Sequence, residues 1–208
     1  KGTKQRRNPP MKTKADGNEK TRMFKLTNQN KCSFGGTQWA EGSTHHAPGE
    51  GELCTAGWIH VYDSALKAVF MNPIHAAFEN PVLWECEVWG NTKADAANLK
   101  HGVQHCTTLR QVPLPGLTIE QRIEIAIRVT LCVYEDPAFQ SWAESWLSGL
   151  DRTEAAAEAA AKAAWAAGAA GAVGAAAWAA RTTKKDFDLN AILEQVTQKK
   201  GDECEKTS

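Results

Sequence analysis

An alanine-rich segment near the C-terminal end constrains the fold of this chain more than any other feature. Residues 163–180 carry no charged side chain and consist mostly of alanine and glycine. Because alanine has the highest helix propensity of all residues, the segment predicts a long helix within residues 151–181. Gly168, Gly171 and Gly174 would weaken an isolated helix, so their three-residue spacing indicates close packing against another helix or a second copy of the chain.

A membrane span is the alternative interpretation of the same segment. Its 18 uncharged residues approach the length that crosses a bilayer. Alanine and glycine, however, gain little free energy on entering lipid, and only Val173 and two tryptophans are strongly apolar. The composition therefore argues against membrane insertion and favours a protein-packing surface.

The helical extension is predicted to cover residues 118–200, and the polar residues 201–208 are predicted to be a disordered tail. Thr118 and Gln121 have the spacing of a capping box, in which each side chain binds a free backbone amide of the first turn. Asp136, followed by proline, has the pattern of a helix cap and first-turn residue, and predicts that a second helix begins there.

The preceding part of the chain, residues 23–117, is predicted to be a small domain with an antiparallel sheet. A short strand is expected at 23–28, and a helix capped by Asp63 or Ser64 is expected to end at Asn72, before a proline. The clearest strand alternates Val82, Trp84, Cys86 and Val88 on one face with Leu83, Glu85, Glu87 and Trp89 on the other.

A second alternating segment is predicted to pair with that strand, with one face formed by Val103, His105, Thr107, Leu109 and Gln111. These elements predict an α+β fold, in which a small antiparallel-sheet domain is followed by a C-terminal helical extension that includes the long alanine-rich helix.

Charge is distributed unevenly, although the formal net charge is zero. Residues 1–25 carry a net charge of +7, and the rest of the chain carries −7. Residues 1–22 lack apolar periodicity and are predicted to be a disordered basic arm. Since no aromatic residue is interleaved with these charges, the sequence disfavours nucleic-acid binding. No apolar signal segment follows Lys1, so we expect reduced cysteines and a cytoplasmic location.

The stretch GELCTAGWIHVY, residues 51–62, places a thiol and an imidazole six positions apart. One interpretation is a zinc site formed by Cys32, Cys54 and His60, with His45, His46, His75 or water as the fourth ligand. The close cysteine pair of closed zinc sites is missing, so we predict no metal. We expect instead a tight turn that leads into a strand, with Cys54 packed beneath the turn and His60 hydrogen-bonded. Elsewhere, Cys132 is expected to be buried as a small apolar residue. His45 and His46 are expected to be exposed.

An enzyme is the second interpretation of this region. The region loosely resembles parts of an ADP-ribosyltransferase site, in which a carboxylate holds the nicotinamide ribose of NAD. The resemblance lies in a histidine and a tyrosine two residues apart, together with two glutamates on another strand. The residues concerned are His60, Tyr62, Glu85 and Glu87. An alternating strand with one solvent face produces the same glutamates without any catalytic role, and we favour that explanation.

Residues 23–117 also resemble an uncharacterised domain family found mostly in bacteriophage and prophage proteins. The resemblance lies in FKLT, Cys32, LCTAGWIH, ENPVLWECEVWG and TTLRQVPLP, and the alanine- and tryptophan-rich extension is similar to that of some phage members. Some members have a cysteine where this chain has Tyr62. The resemblance implies a phage context, a bacterial host cytoplasm and no established activity.

The leading hypothesis is a non-enzymatic accessory or interaction protein that requires no cofactor. It would bind a protein partner or a second copy through the helical extension. The alternative is the NAD-dependent ADP-ribosyltransferase with a cleft around His60, Tyr62, Glu85 and Glu87.

Overall fold

The computed structural model describes residues 19–95, 97–151, 153, 171–176 and 187–205. It confirms the predicted α+β fold, with one five-stranded antiparallel sheet and helices packed against it. Residues 171–176 are also helical. The strands and the remaining helices, in chain order, are β1 (Thr21–Thr27), β2 (Thr44–His46), β3 (Ile59–Val61), α1 (Ala65–His75), β4 (Val82–Ala94), β5 (His101–Val112), α2 (Ile119–Val133), α3 (Pro137–Leu147) and α4 (Leu189–Glu205).

The sheet curls until its two edges meet. Strand β4 lies between β1 and β5, and both β2 and β3 pair with the other edge of β5. Two backbone hydrogen bonds then join the end of β3 to β1, from Phe24 N to Tyr62 O at 2.7 Å and from Tyr62 N to Phe24 O at 2.8 Å. The curled sheet therefore has a concave inner side and a convex outer side.

The inner side holds a compact apolar cluster, called here the inner core. Strand β4 supplies its centre, and the predicted alternation of this strand is confirmed, because Trp84, Cys86 and Val88 are buried while Glu85 and Glu87 are not. Apolar side chains at every second position fit a pleated surface that faces a core. The buried members are Trp39, Val61, Trp84, Cys86, Val88, Val103 and Cys106.

Strand β5 pairs with β4 as predicted, but its alternation is broken. Val103 and Cys106 are both in the inner core, although they are three residues apart. The register of the two strands shifts between Trp89 and Thr92, opposite this point. Such an irregularity moves the following side chains to the other face. The prediction that Val103 shares a face with His105 was therefore wrong.

A second cluster, the outer core, joins the helices to one end of the outer side. Phe24, Leu26 and Leu83 of the sheet belong to one apolar cluster with side chains of α1, α2, α4 and the helical residues 171–176. Apolar area removed from water on both sides is the main force that holds helices onto a sheet. One cluster therefore contains residues from both sides of the predicted boundary at 117/118. Its fully buried helical members include Phe70, Met71, Ile125, Val129, Val173, Leu189 and Leu193.

The predicted helix starts are confirmed. The Thr118 hydroxyl accepts from Gln121 N at 3.2 Å, and Gln121 Oε1 accepts from Thr118 N at 2.9 Å. Asp136 caps α3 by accepting from Phe139 N at 2.8 Å, and Ser64 caps α1. These contacts satisfy amides that have no partner within their own helices.

The predicted end of α1 was wrong, because the helix continues through Pro73 to His75. The helix ends about one turn after Asn72, where the backbone oxygen of Asn72 accepts from Ala76 N and Ala77 N at 3.0 and 2.7 Å. The Asn72 side chain also bonds both backbone groups of Phe78. These contacts hold the last turn despite the amide that proline lacks.

Two cysteines differ from expectation. Cys132 is exposed, since α2 extends beyond its last buried residue, Val129. Cys54 is exposed as well, because Leu53 fills the space under the turn instead. The chain also enters the sheet earlier than predicted, since β1 begins at Thr21 and Arg22 pairs with Glu87.

Of the alanine-rich helix predicted within residues 151–181, residues 152, 154–170 and 177–181 lie outside the described residues. Within 171–176, Val173 and Ala176 are buried in the outer core. Around Gly171, no described atom lies within 4 Å of the position that a Cβ would occupy, and Gly174 has only Ile74 Cδ1, at 3.6 Å. None of the described helices combines the length and the apolar character of a membrane span.

Candidate functional site

The stretch 51–62 forms the expected tight turn and enters β3. Gly49 N donates to Gly57 O at 2.8 Å, and the Trp58 indole donates to Gly51 O at 3.1 Å. A Cβ on Gly57 would lie 2.1 Å from Glu50 O, so the backbone approaches too closely for any other residue. The loop therefore requires glycine for packing.

The three residues considered as zinc ligands each have a different partner. Cys32 Sγ donates to Gln38 Oε1 at 3.0 Å, and Cys54 Sγ accepts from Lys100 Nζ at 3.3 Å. His60 Nε2 bonds the backbone oxygen of Leu53, and burial lowers the pKa of this histidine. In the part of the chain that the structure describes, no three His, Cys, Asp or Glu side chains form a group that could hold a metal.

The four residues of the transferase hypothesis occupy two regions. Phe24 pairs with Glu85 on one side and with Tyr62 on the other, so strand β1 separates these two residues. His60 pairs with Gly102, whereas Glu85 pairs with Arg110. His60 and Glu85 therefore pair with opposite ends of β5.

Tyr62 is buried in the outer core rather than at the lip of a cleft. Its hydroxyl lies 3.2 Å from His75 Nδ1, and the two rings stack with centroids 5.9 Å apart. Burial raises the pKa of Tyr62 and lowers the pKa of His75 to about 4, so both groups are neutral at pH 7. This arrangement is that of a packed polar contact.

Both glutamates lie on the outer side of the sheet and are paired with cations. Glu85 Oε2 contacts Arg110 Nε at 2.7 Å, and its Oε1 lies 3.5 Å from Arg22 Nη1. Glu87 Oε1 lies 2.6 Å from Lys20 Nζ. Paired, partly exposed carboxylates of this kind form an ion-pair ladder along the strands. They do not converge with His60 or Tyr62.

At its end, the ladder meets two histidines, His46 and His105, called here the histidine pair. The sequence did not indicate that these two residues lie together. His46 of β2 is directly opposite His105 of β5, with 2.6 Å between their Nδ1 atoms. The indole of Trp89 stacks on His105 at 5.2 Å, with an angle of 24° between the rings. His45, expected to be exposed, instead points inward and packs on Trp39 with ring centroids 4.3 Å apart.

A cleft of about 420 Å³ lies between the β3–α1 connection, the β4–β5 connection and the start of α4. Its central group is Asp63, whose carboxylate lies 2.8 Å from Lys67 Nζ and accepts from Asn190 Nδ2 at 3.0 Å. Burial alone would raise the pKa of Asp63, but His101 at 3.5 Å and the Lys67 ammonium hold it well below its usual range. The cleft is lined by Asp63, Ala97, Asn98, Phe187, Asp188, Leu189 and Asn190.

A lysine is buried on the inner side of the sheet. Lys25 is 4% exposed, its Nζ donates to His60 O at 3.2 Å, and it lies 4.5 Å from the centroid of the Trp39 ring. Burial lowers the pKa of this ammonium group. The backbone oxygen and the aromatic face compensate in part for the lost water.

Comparison with known proteins identifies no relative of this chain. No protein-family model, no curated protein and no solved structure matches the chain. The candidate functional features are therefore those of the molecule itself: the outer face with the histidine pair, the cleft at Asp63 and the surface of the helices.

Proposed function

We propose that this chain is a non-enzymatic interaction protein that self-associates through its helical part, in the phage context that the sequence resemblance implies. The observation that carries the proposal is a row of aromatic side chains at the junction of α2 and α3. Tyr134 and Phe139 meet edge to face with centroids 5.6 Å apart, and Phe139 and Trp142 follow at 5.7 Å.

Tyr134 is the exposed member of this row, whereas Phe139 and Trp142 are partly buried against the packing of α3 on α2. Ala143 and Trp146 are buried against Ile123 and Ile127 of α2, in a small cluster separate from the outer core. Tyr134, beside them, is 50% exposed. Tyrosine and tryptophan are enriched at the centres of protein interfaces, because they bury a large area at a small cost in conformational entropy.

The described turns of the alanine-rich helix support the same surface. Val173 and Ala176 point into the outer core, whereas Ala175 is exposed. Gly171 lies one turn before Ala175 on the same side of the helix, and the space near it is open among the described residues. Small residues on an exposed helix face allow the backbone of a second copy to approach closely.

Sedimentation velocity over a wide concentration range tests the proposal on the full chain. We expect concentration-dependent self-association, and we expect Tyr134→Ser to raise the dissociation constant about tenfold or more, as for a central aromatic residue of an interface. Phe34→Ser is the matched control, because Phe34 is 84% exposed in the β1–β2 connection, outside the helical part.

A pair of substitutions at Gly171 tests the alanine-rich surface separately. Both alanine and leucine are better helix formers than glycine, so a solvated helix should tolerate either. Close contact predicts that Gly171→Ala is tolerated and that Gly171→Leu dissociates the complex. A wild-type chain that stays monomeric at every concentration, or equal effects of Tyr134→Ser and Phe34→Ser, would contradict the proposed function.

A further inference from the structure

The histidine pair on the outer side of the sheet places two imidazole nitrogens within hydrogen-bonding distance of each other. His46 and His105 are directly opposite on antiparallel strands, and their ring centroids lie 4.7 Å apart with an angle of 75° between the planes. The two Nδ1 nitrogens lie 2.6 Å apart. Two ring nitrogens therefore face each other at the surface, and at most one of them carries the proton between them.

The surroundings keep both rings in place and leave them accessible. Trp89 stacks on His105 and lies edge-on to His46, with centroids 5.2 and 6.5 Å away. Two residues along the same strands, the Thr44 and Thr107 hydroxyls are hydrogen-bonded to each other at 2.7 Å. His46 is an exposed residue, so a solute can reach the pair from water.

The same two nitrogens are suited to share a metal ion in place of a proton. Imidazole nitrogen is a ligand for divalent copper, nickel and zinc, with bonds of about 2.0 Å. Two such nitrogens are about 2.8 Å apart at the right angle of a tetragonal site, and about 3.3 Å apart at a tetrahedral angle. The observed 2.6 Å needs only a small opening and ring rotation to reach the first value.

Metal binding at this pair should weaken in acid, because a metal ion must displace protons from its histidine ligands. The Lys20 ammonium lies 5.2 Å from the centroid of the Trp89 ring, and its pairing with Glu87 at 2.6 Å offsets the repulsion that it would exert on a bound cation.

We infer that His46 and His105 form a surface site for a divalent transition-metal ion that prefers tetragonal coordination, with water completing the ligand shell. Copper(II) and nickel(II) fit this description better than zinc. The ion would join β2, a strand of three residues, to the centre of the sheet. The site is independent of the self-association proposed above, and of Cys32, Cys54 and His60.

Calorimetric titration of the full chain with Ni²⁺ tests this inference. Nickel is the probe because it does not oxidise thiols, and the protein is made without a histidine tag and kept reduced. We expect one Ni²⁺ per chain, weaker binding of Zn²⁺, and loss of binding when the pH falls below the histidine range, about pH 6.

Variants of single histidines locate the site. His46→Gln and His105→Gln should each weaken Ni²⁺ binding about tenfold or more, since even loss of an outer-shell partner has effects of this size. His45→Gln is the matched control, because His45 is the next residue but faces the inner core. Circular dichroism confirms that each variant is folded.

Three results would overturn the inference. The first is no detectable binding of Ni²⁺ to the wild-type chain. The second is unchanged binding in both His46→Gln and His105→Gln, which would assign the ion to other groups such as the exposed thiols. The third is tighter binding of Zn²⁺ than of Ni²⁺, which would contradict the tetragonal geometry.

Discussion

The substitution Asp63→Asn should destabilise the protein strongly, because it removes the counter-charge of a buried lysine. The Lys67 side chain is 2% exposed, and its ammonium group contacts only the Asp63 carboxylate and Asn98 O, at 2.8 Å each, among the described contacts. Removing one partner of a buried pair costs about 3–5 kcal/mol. The Asp63 side chain is 31% exposed, so we take the lower end, about 3 kcal/mol.

This free energy converts into a measurable change in melting temperature. For a chain of this size, 1 kcal/mol corresponds to about 2–4 °C, so Asp63→Asn should lower the melting temperature by about 6–12 °C. Urea unfolding should show the same loss in the free energy of unfolding. A double variant, Asp63→Asn with Lys67→Met, removes both charges and should be more stable than Asp63→Asn alone.

The acid dependence gives an independent test. The pKa of Asp63 is lower in the folded state than in the unfolded state, so its stabilising effect is complete above the ordinary carboxyl value of about 4. It is lost as the pH falls through that value toward the folded pKa. The wild type should therefore lose more stability in acid than Asp63→Asn. A loss below 1 kcal/mol in the variant, or additive effects in the double variant, would refute the reasoning.

Three further expectations follow from single contacts. Gly57→Ala should destabilise the turn by at least about 1 kcal/mol in urea unfolding, because its Cβ would meet Glu50 O at 2.1 Å; a neutral effect would mean that the loop can open. Thr118→Ala should cost about 1 kcal/mol by loss of the capping box, measured in the same way, and an effect near zero would show that the cap is dispensable. NAD should not change the melting temperature, since Glu85 lies apart from His60; a reproducible shift would revive the transferase hypothesis.

Local signals in the sequence predicted the elements well. The alternation around Trp84 and Cys86 identified β4 and its two faces, because a period of two requires no information from elsewhere in the chain. The Thr118 and Asp136 caps marked helix starts for the same reason, since each cap satisfies amides within three residues of itself.

Features that depend on pairing between distant residues could not be predicted. The break in β5 at Val103 arises from an irregularity in the partner strand, which β5 alone does not encode. The histidine pair depends on a register that sets His46 opposite His105, 59 positions away. Asn190 enters the cleft at Asp63 from a helix 127 positions later. Each case required knowledge of which segments lie together.

The meeting of β1 and β3 has a kinetic consequence for the thiols behind it. Cys86 and Cys106 are both 0% exposed on the inner side, whereas Cys54 and Cys132 are exposed. A thiol reagent should modify the exposed pair at once. It can reach the buried pair only when the sheet transiently opens, for example where Phe24 and Tyr62 are joined by two backbone hydrogen bonds. At high reagent concentration, the labelling rate of Cys86 and Cys106 therefore equals the rate at which the sheet opens, so these two thiols report that motion directly.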